Sequence, residues 1–219
     1  MSFFASANGA RLVAVSLGMP LYGLWMADID GDLPETFTSP VTLVVGNLSL
    51  VGSVVRQGSF AGQNRTRLVG GFGGWRQDVS AASYSNPSGV RLSTVLLDLA
   101  ASCGEQVKPP TPDVMVGQFF VREVAPASRI LRQLVGPSWY VDALGVTQIG
   151  TRPSAAITSP FSVEMFDTDK GEAVIATEDY ASWVPGATFS GATASGTVSF
   201  VRLAFGNDGR LRLVVLVSP

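Results

Sequence analysis

The hydrophobic pattern of the chain changes period twice. From Arg11 to Arg76 it runs in short apolar or alternating blocks, "VTLVV", "LSLVGSVVRQ" and "TRLVGGFGGW" among them, divided by Gly, Asn and Ser clusters such as Gly46-Asn47. Alternation between turn residues predicts half-buried strands, and continuous apolar runs predict strands covered on both faces, about five of them in this stretch.

A period near 3.6 then takes over. Leu92, Leu96, Leu99, Ala100 and Cys103 recur at three- and four-residue intervals, which predicts a helix with Ser93 as its cap and Gly104 as its left-handed terminator. The stretch "VKPPTPDVMVG", with Pro109, Pro110 and Pro112 close together, predicts an extended loop. A second helix is predicted from near Pro126, with Ile130, Leu131, Leu134 and Val135 on one face, Arg129, Arg132 and Gln133 on the other, and Gly136-Pro137 ending it. A hairpin follows: "SWYVD", a turn at Ala143-Leu144-Gly145, then "VTQIGTR".

After Pro160 the strand period returns in "FSVEMFD", "AVIATED", "TFSGATASGTVSFVRLAFG" and "RLRLVVLVSP", with turns predicted at Asp167–Gly171 and Asn207–Arg210. In the last of these, Leu211, Leu213, Val215 and Val217 alternate with Arg210, Arg212, Val214 and Leu216. The predicted fold class is mainly β with a small α+β insert. A discontinuous β-barrel built from residues 1–84 and 154–219 is interrupted by a helix–loop–helix–hairpin unit at 85–153. No internal repeat is visible.

Composition narrows the function classes. The 219 residues are enough for a large core, and the charged fraction of 15% is low for a globular chain, the kind of surface that partners cover. A net charge of −2, scattered without runs, provides no basic field for phosphates, so no specific nucleic-acid recognition is expected. Arginine supplies nearly all the positive charge, lysine occurring only at Lys108 and Lys170; this suits interface pairing, although codon bias would give the same count. The single cysteine, Cys103, rules out an intramolecular disulfide and reads as a small apolar residue at a helix end.

The N-terminal "MSFFASANGAR" lacks the basic region of a secretory signal, so export by that route is not expected. Two apolar stretches, Leu12–Ala27 and Phe37–Val55, are broken by Gly18, Pro20 and Gly23 and by Pro40, Gly46, Asn47 and Gly52, so no membrane span is expected.

Candidate chemistry is sparse. Histidine is absent, which removes the commonest general base, the His-activated nucleophiles and the most frequent metal ligand. The cluster "ADIDGDLPE" places Asp28, Asp30, Asp32 and Glu35 like the oxygens of a calcium loop, but its glycine comes too early for an EF-hand and no flanking helices are predicted; a solvated turn between strands is expected. In "FDTDKGE", Lys170 sits among the acids. The run "GGFGGW" lacks a P-loop lysine and reads as a glycine-dense strand end or bulge. Trp25, Trp75, Trp139 and Trp183 are spread singly, as core or interface anchors. No catalytic residue, cofactor or metal site is expected, and the chain is not expected to be an enzyme.

The order of three segments is more specific. "GGFGGWRQDVSAASYSNPSGVRLSTVLLDLAASCGE", then "FFVREVAPASRILRQLVGPSWYVDALGVTQIGTRP", then "IATEDYASWVPGATF" resembles the tail baseplate hub proteins of contractile-tailed bacteriophages, a group related to the hub portion of type VI secretion spikes. The matching pieces are the Gly104-Glu105 helix ending, the helix from Ala127 to Leu134, the hairpin from Trp139 to Arg152 and the Pro185-Gly186 turn.

The resemblance implies a β-barrel hub domain with a small α/β insert, assembled as a ring of copies, a trimer for preference, at the distal end of the tail tube. Implied partners are the tail tube protein, a spike or tail-tip protein and other baseplate proteins, and the implied location is the virion tail baseplate after assembly in the host cytoplasm. Trp75, Trp139 and Trp183 are the expected packing or interface anchors, and Arg65, Arg67, Arg129 and Arg132 the expected interface or channel-lining residues. Because the chain stops at Pro219, spike binding is expected to reside in a separate protein. Alternatives are a distal tail or adaptor protein, a calcium- or carbohydrate-binding β module, and a carboxylate-pair wall hydrolase.

Overall fold

The computed structural model describes residues 4–31, 36–60, 63–206 and 211–218. The first third of the chain gives β1 (Ala5–Ala7), β2 (Ala10–Pro20), β3 (Met26–Gly31), β4 (Val41–Val45), β5 (Leu48–Phe60) and β6 (Gln63–Gly70). Side chains alternate as the sequence pattern requires: Val15, Leu17 and Met19 on β2, Ala27 and Ile29 on β3, and Val41, Leu43 and Val45 on β4 are buried, while their neighbours face outward. These six strands pair in the order β1-β4-β5-β6-β3-β2, and β2 pairs back to β1, so the ring closes as a small barrel. Trp25 fills one end. A Cβ on Gly52 or Gly70, which face each other across β5 and β6, would lie 2.5 Å from its indole, so only glycine fits at either position.

The middle of the chain carries a one-turn 3-10 helix (Gly74–Arg76), β7 (Asp78–Val79), β8 (Ala82–Arg91), α1 (Leu92–Cys103), β9 (Val107–Lys108), β10 (Met115–Arg122), β11 (Ala125–Pro126), α2 (Ala127–Val135), β12 (Trp139–Val141) and β13 (Thr147–Ile149). Both helices and the closing hairpin lie where the sequence pattern puts them, and Gly104 terminates α1 in the left-handed conformation at φ 72°. The cap of α1 differs. Ser93 does not cap it; Asp113 accepts from the Ser93 amide at 3.0 Å and from its hydroxyl at 2.6 Å, so the carboxylate arrives from the proline loop. That loop is also shorter than expected, because β10 begins at Met115 and pairs antiparallel with β8. Neither strand shows the alternating pattern cleanly, since Pro87, Gly89 and Gly117 interrupt it and only one face of the ribbon is covered.

The last third adds β14 (Phe161–Asp167), β15 (Glu172–Thr177), a second 3-10 turn (Tyr180–Ser182), β16 (Thr188–Ser190), β17 (Ser195–Phe205) and β18 (Leu211–Ser218). β17 pairs with β2 over Val15–Pro20, and β18, β15 and β14 follow in that order, so one sheet of eleven strands contains the barrel and its extension. Leu213 and Val215 point into the core of the extension, as the alternation in the last strand requires. The turn expected at Asn207–Arg210 lies outside the described residues, as do Asp32 and Glu35 of the acidic cluster. No helix among the described residues is long and apolar enough to cross a membrane.

Two polar clamps hold these parts together. Glu105, just past α1, is buried, and its carboxylate accepts from the amides of Phe72 (3.0 Å), Gly74 (2.6 Å) and Trp75 (3.3 Å) in the glycine run that leaves the barrel. Burial pushes this carboxyl above the usual glutamate range, while the amide donors of residues 72–75 pull it down. At the other end, Asp179 accepts from Asn47 in the β4–β5 turn at 2.7 Å and from the Ser182 amide and hydroxyl. The Ser182 hydroxyl, followed by Asn47, lowers its pKa to about 2.

Two stability predictions follow from these clamps. Glu105→Ala leaves buried amides without an acceptor and is expected to cost about 3 kcal/mol in urea unfolding; Gly74→Ala, whose Cβ would lie 1.8 Å from the Cys103 carbonyl oxygen, is expected to be at least as harmful. An unchanged unfolding midpoint in either variant would remove the clamp. Asp179, with a lowered folded-state pKa, contributes stability that is complete above the ordinary aspartate value of 3.8 and is lost as pH falls toward about 2. Asp179→Asn should therefore flatten stability over that acid window.

Candidate assembly surface

The sheet has one buried and one wet face, and its register places the wet residues in rows that run across both halves of the molecule. One row reads Arg56, Arg67, Asp28, Ser16, Ala204 and Arg212, each opposite the next on β5, β6, β3, β2, β17 and β18. A neighbouring row holds Met26, Gly18, Arg202 and Val214, and a third holds Arg65, Asp30 and Ala14. Intervening positions such as Leu17, Ile29, Leu68, Leu203 and Leu213 are buried, so the outward character of the rows follows from alternation along most of their strands, with bulges just before Arg56 and Ala14.

Within these rows Arg65 and Arg67 grip aspartates on the adjacent strand. Arg67 donates to both carboxylate oxygens of Asp28 at 2.8 Å, and Arg65 to those of Asp30 at 2.8 and 3.0 Å. The hydrogen bond from Arg67 is the main reason the Asp28 carboxyl lies below its ordinary pKa. Both guanidiniums are raised by their partners. Such exposed pairs fix geometry more than they stabilise. They also bear on the calcium reading, because Asp28 and Asp30 sit in a regular strand with their oxygens already engaged by fork-shaped donors.

The other expected residues lie elsewhere. Trp75 is buried, donates its Nε1–H to Thr147 Oγ1 at 2.8 Å and packs against Trp139 at 6.3 Å between ring centroids, so these two tryptophans join the 3-10 turn to the β12–β13 hairpin. Trp183 is fully buried between Phe161 and Phe189 in the extension. Arg129 and Arg132 are exposed on the outer side of α2, on a different element from the sheet rows. Arg56 and Arg202 escaped the sequence reading, and Arg212 entered it only as an alternating position of the last strand; the signal for Arg202 and Arg212 was the alternation of arginine with Leu, Val or Ala in strand text.

Buried ionisable groups outside this surface are occupied by structure. The Cys103 thiol is pushed up to about 11, chiefly by burial, and stays neutral. Arg122 spends its guanidinium on Asp98, Ser102 and the Ser80 carbonyl. Arg152 lies 4.2 Å over the Tyr140 ring and donates to the Leu21 carbonyl, tying the exit of the hairpin to the barrel. Among the described residues no group of three or more acidic or cysteine side chains could hold a metal ion.

No family model and no curated protein matches the sequence. Solved structures do match its fold. An E. coli component of the type VI secretion system, itself structurally similar to the T4 bacteriophage tail proteins gp27 and gp5, superposes with a TM-score of 0.68 at 9% identity over 98% of this chain and 76% of its own. The 43 kDa tail protein of prophage MuSo2 from Shewanella oneidensis gives 0.65 at 10% identity over 97% and 96% of the two chains. A tail protein from Neisseria meningitidis MC58 gives 0.63 at 13% over 96% and 94%. The chain thus has the fold of phage-tail and type VI tail-like proteins, a closed β-barrel with a small helical insert.

Trp75→Phe keeps the ring packing but loses the bond to Thr147, and is expected to cost about 1–2 kcal/mol, whereas Arg65→Ala and Arg67→Ala should each leave the urea unfolding midpoint close to that of the parent. Millimolar calcium should leave the melting temperature unchanged. A calcium-induced rise that disappears in Asp30→Ala would reinstate the metal-binding reading.

Proposed function

We propose that this chain is a structural subunit of a phage-type tail: a hub that forms a ring of copies, a trimer for preference, at the distal end of the tail tube. In this reading it joins the tube to a spike or tail-tip protein and to surrounding baseplate proteins. The observation that carries it is the match of nearly the whole chain, barrel, insert and extension together, to tail and type VI tail-like structures. The continuous sheet supports it physically. A ring needs a wall with one buried face and one wet face that runs without interruption across each subunit, and the rows from Arg56 to Arg212 have that form.

The role proposed is mechanical. Arg65 and Arg67, locked flat by Asp28 and Asp30, are proposed to face the channel or a neighbouring subunit, and Arg129 and Arg132 to face surrounding proteins from the outside of the insert. The buried tryptophans contribute by keeping the insert and the extension each rigid. A chain without histidine, whose buried carboxylate and thiol are both committed to packing, is suited to holding partners in register rather than to turnover.

An antibody raised against the chain tests this on particles from the producing culture by immunogold electron microscopy. Label confined to the distal tail tip is the expected outcome, and a distal adaptor would be separated from a hub by whether the label persists on tubes stripped of their baseplates. Particles that stay unlabelled even after mild baseplate disruption would overturn the assignment.

A further inference from the structure

The β8–β10 ribbon of the insert has two unlike faces. The inner one is clamped to α1: Tyr84 and Phe120 pack ring to ring at 6.0 Å, the Tyr84 hydroxyl bonds Asp98, and Arg122 is buried against Asp98 and Ser102. The outer one holds Phe119 and Val121, exposed to 75% and 64%, opposite the short side chains of Ser85 and Ser83. Met115 at one end and Val124 beyond the other are exposed as well. Large apolar side chains therefore stand in water along the length of a strand.

The edges of the ribbon are also unlike. β8 contains Pro87, which has no N–H to offer, and the Asn86 carboxamide is turned onto the Ser88 amide, so that edge is blunted. β10 pairs only with β8 among the described strands and carries neither proline nor lysine; its register shifts on both sides of Gly117, so its regular edge runs from Phe119 to Arg122. From Val114 to Val121 there is no charged side chain; of the flanking charges, Asp113 is held by Arg91 and Ser93 and Arg122 by Asp98, while Glu123 stands exposed past the end of the strand. A free edge selects a strand, a strip of alternate apolar side chains selects apolar residues at every second position, and the absence of charge selects against a charged one.

We propose that β10 is a docking edge for an extended, uncharged segment of a different protein, which adds a third strand to the ribbon and covers Phe119 and Val121. The strip exposes a few hundred Å², the size of a functional patch on a monomer. That is short of the roughly 800 Å² per partner buried when two globular surfaces form a stable pair. The area therefore fits a segment better than a second copy. The inference does not depend on the tail assignment, and the isolated full chain is enough to test it.

The probe is a displayed library of random decapeptides selected on the immobilised chain. Enrichment of uncharged sequences with apolar residues at alternate positions is expected, with binding at least ten-fold weaker to Phe119→Lys and to Val121→Lys and unchanged for Met165→Lys on the remote strand β14. Both ribbon variants point into solvent and should keep the parent circular dichroism and melting temperature. On saturation with a selected peptide, the outward amides of Phe119–Arg122 should exchange at least ten-fold more slowly. No enrichment over the Phe119→Lys variant, or enriched peptides that bind it equally well, would overturn the proposal. So would sedimentation of the parent as a dimer that Phe119→Lys converts to a monomer, since the occupant would then be a second copy. Neither result alters the electron-microscopy outcome that decides the tail role.

Discussion

The buried carboxylate of Glu105 fixes how the barrel and its insert meet. Leaving β6, the chain turns out of the barrel after Gly70 and Gly71, whose amides still bond the Trp25 and Val51 carbonyls, and α1 ends where the next amides, of Phe72, Gly74 and Trp75, converge on Glu105. The approach is so close that Gly74 has no room for a side chain against the Cys103 carbonyl. Anchoring this turn also sets Trp75, whose indole reaches Thr147 and packs on Trp139, so the hairpin that closes the insert is positioned by the same carboxylate. From there β12 bonds the Gly23 backbone and Arg152 reaches Leu21, which returns the insert to the same end of the barrel, where the Gly70 amide bonds the Trp25 carbonyl. A buried carboxyl group is costly to leave without partners, and Glu105 is sustained here because several oriented amides surround it.

With the insert held in this way, the sheet is left with one face for packing and one for contact. β2 is the shared strand: it closes the barrel with β1, pairs with β3, and carries β17 and the whole extension along its other reach. The outward rows are therefore a property of the joined sheet and cross from one half of the chain to the other. Paired arginines and aspartates keep this face polar.

The insert presents its own contact surfaces on the opposite principle. Its helices are amphipathic and dock by their apolar faces, leaving Arg129 and Arg132 outside, while the β8–β10 ribbon turns its charges inward to α1 and its large apolar residues outward. The chain gives buried Arg122 three acceptors yet leaves Phe119 in water, a surface that its own fold does not cover.

Local pattern determined much of this protein. Alternation in "VTLVV" or "RLRLVVLV" and the 3.6-residue period of Leu92–Cys103 and Ala127–Val135 specify strands and helices because each element must bury one face, and glycine marked their ends. The order of elements around the hairpin carried the resemblance to tail hubs, and the fold bears out that shape. What only the tertiary structure decided are pairings between residues far apart in the chain. Asp113 rather than Ser93 caps α1, Asp28 and Asp30 meet arginines from β6, and Glu105 meets the glycine run. The β8–β10 ribbon stayed hidden for a related reason, since its inner face depends on α1 arriving over Tyr84 and Phe120. Periodicity reports what a residue does to its neighbours in sequence; it is silent on which distant backbone or side chain completes a hydrogen bond, and those completions set this architecture.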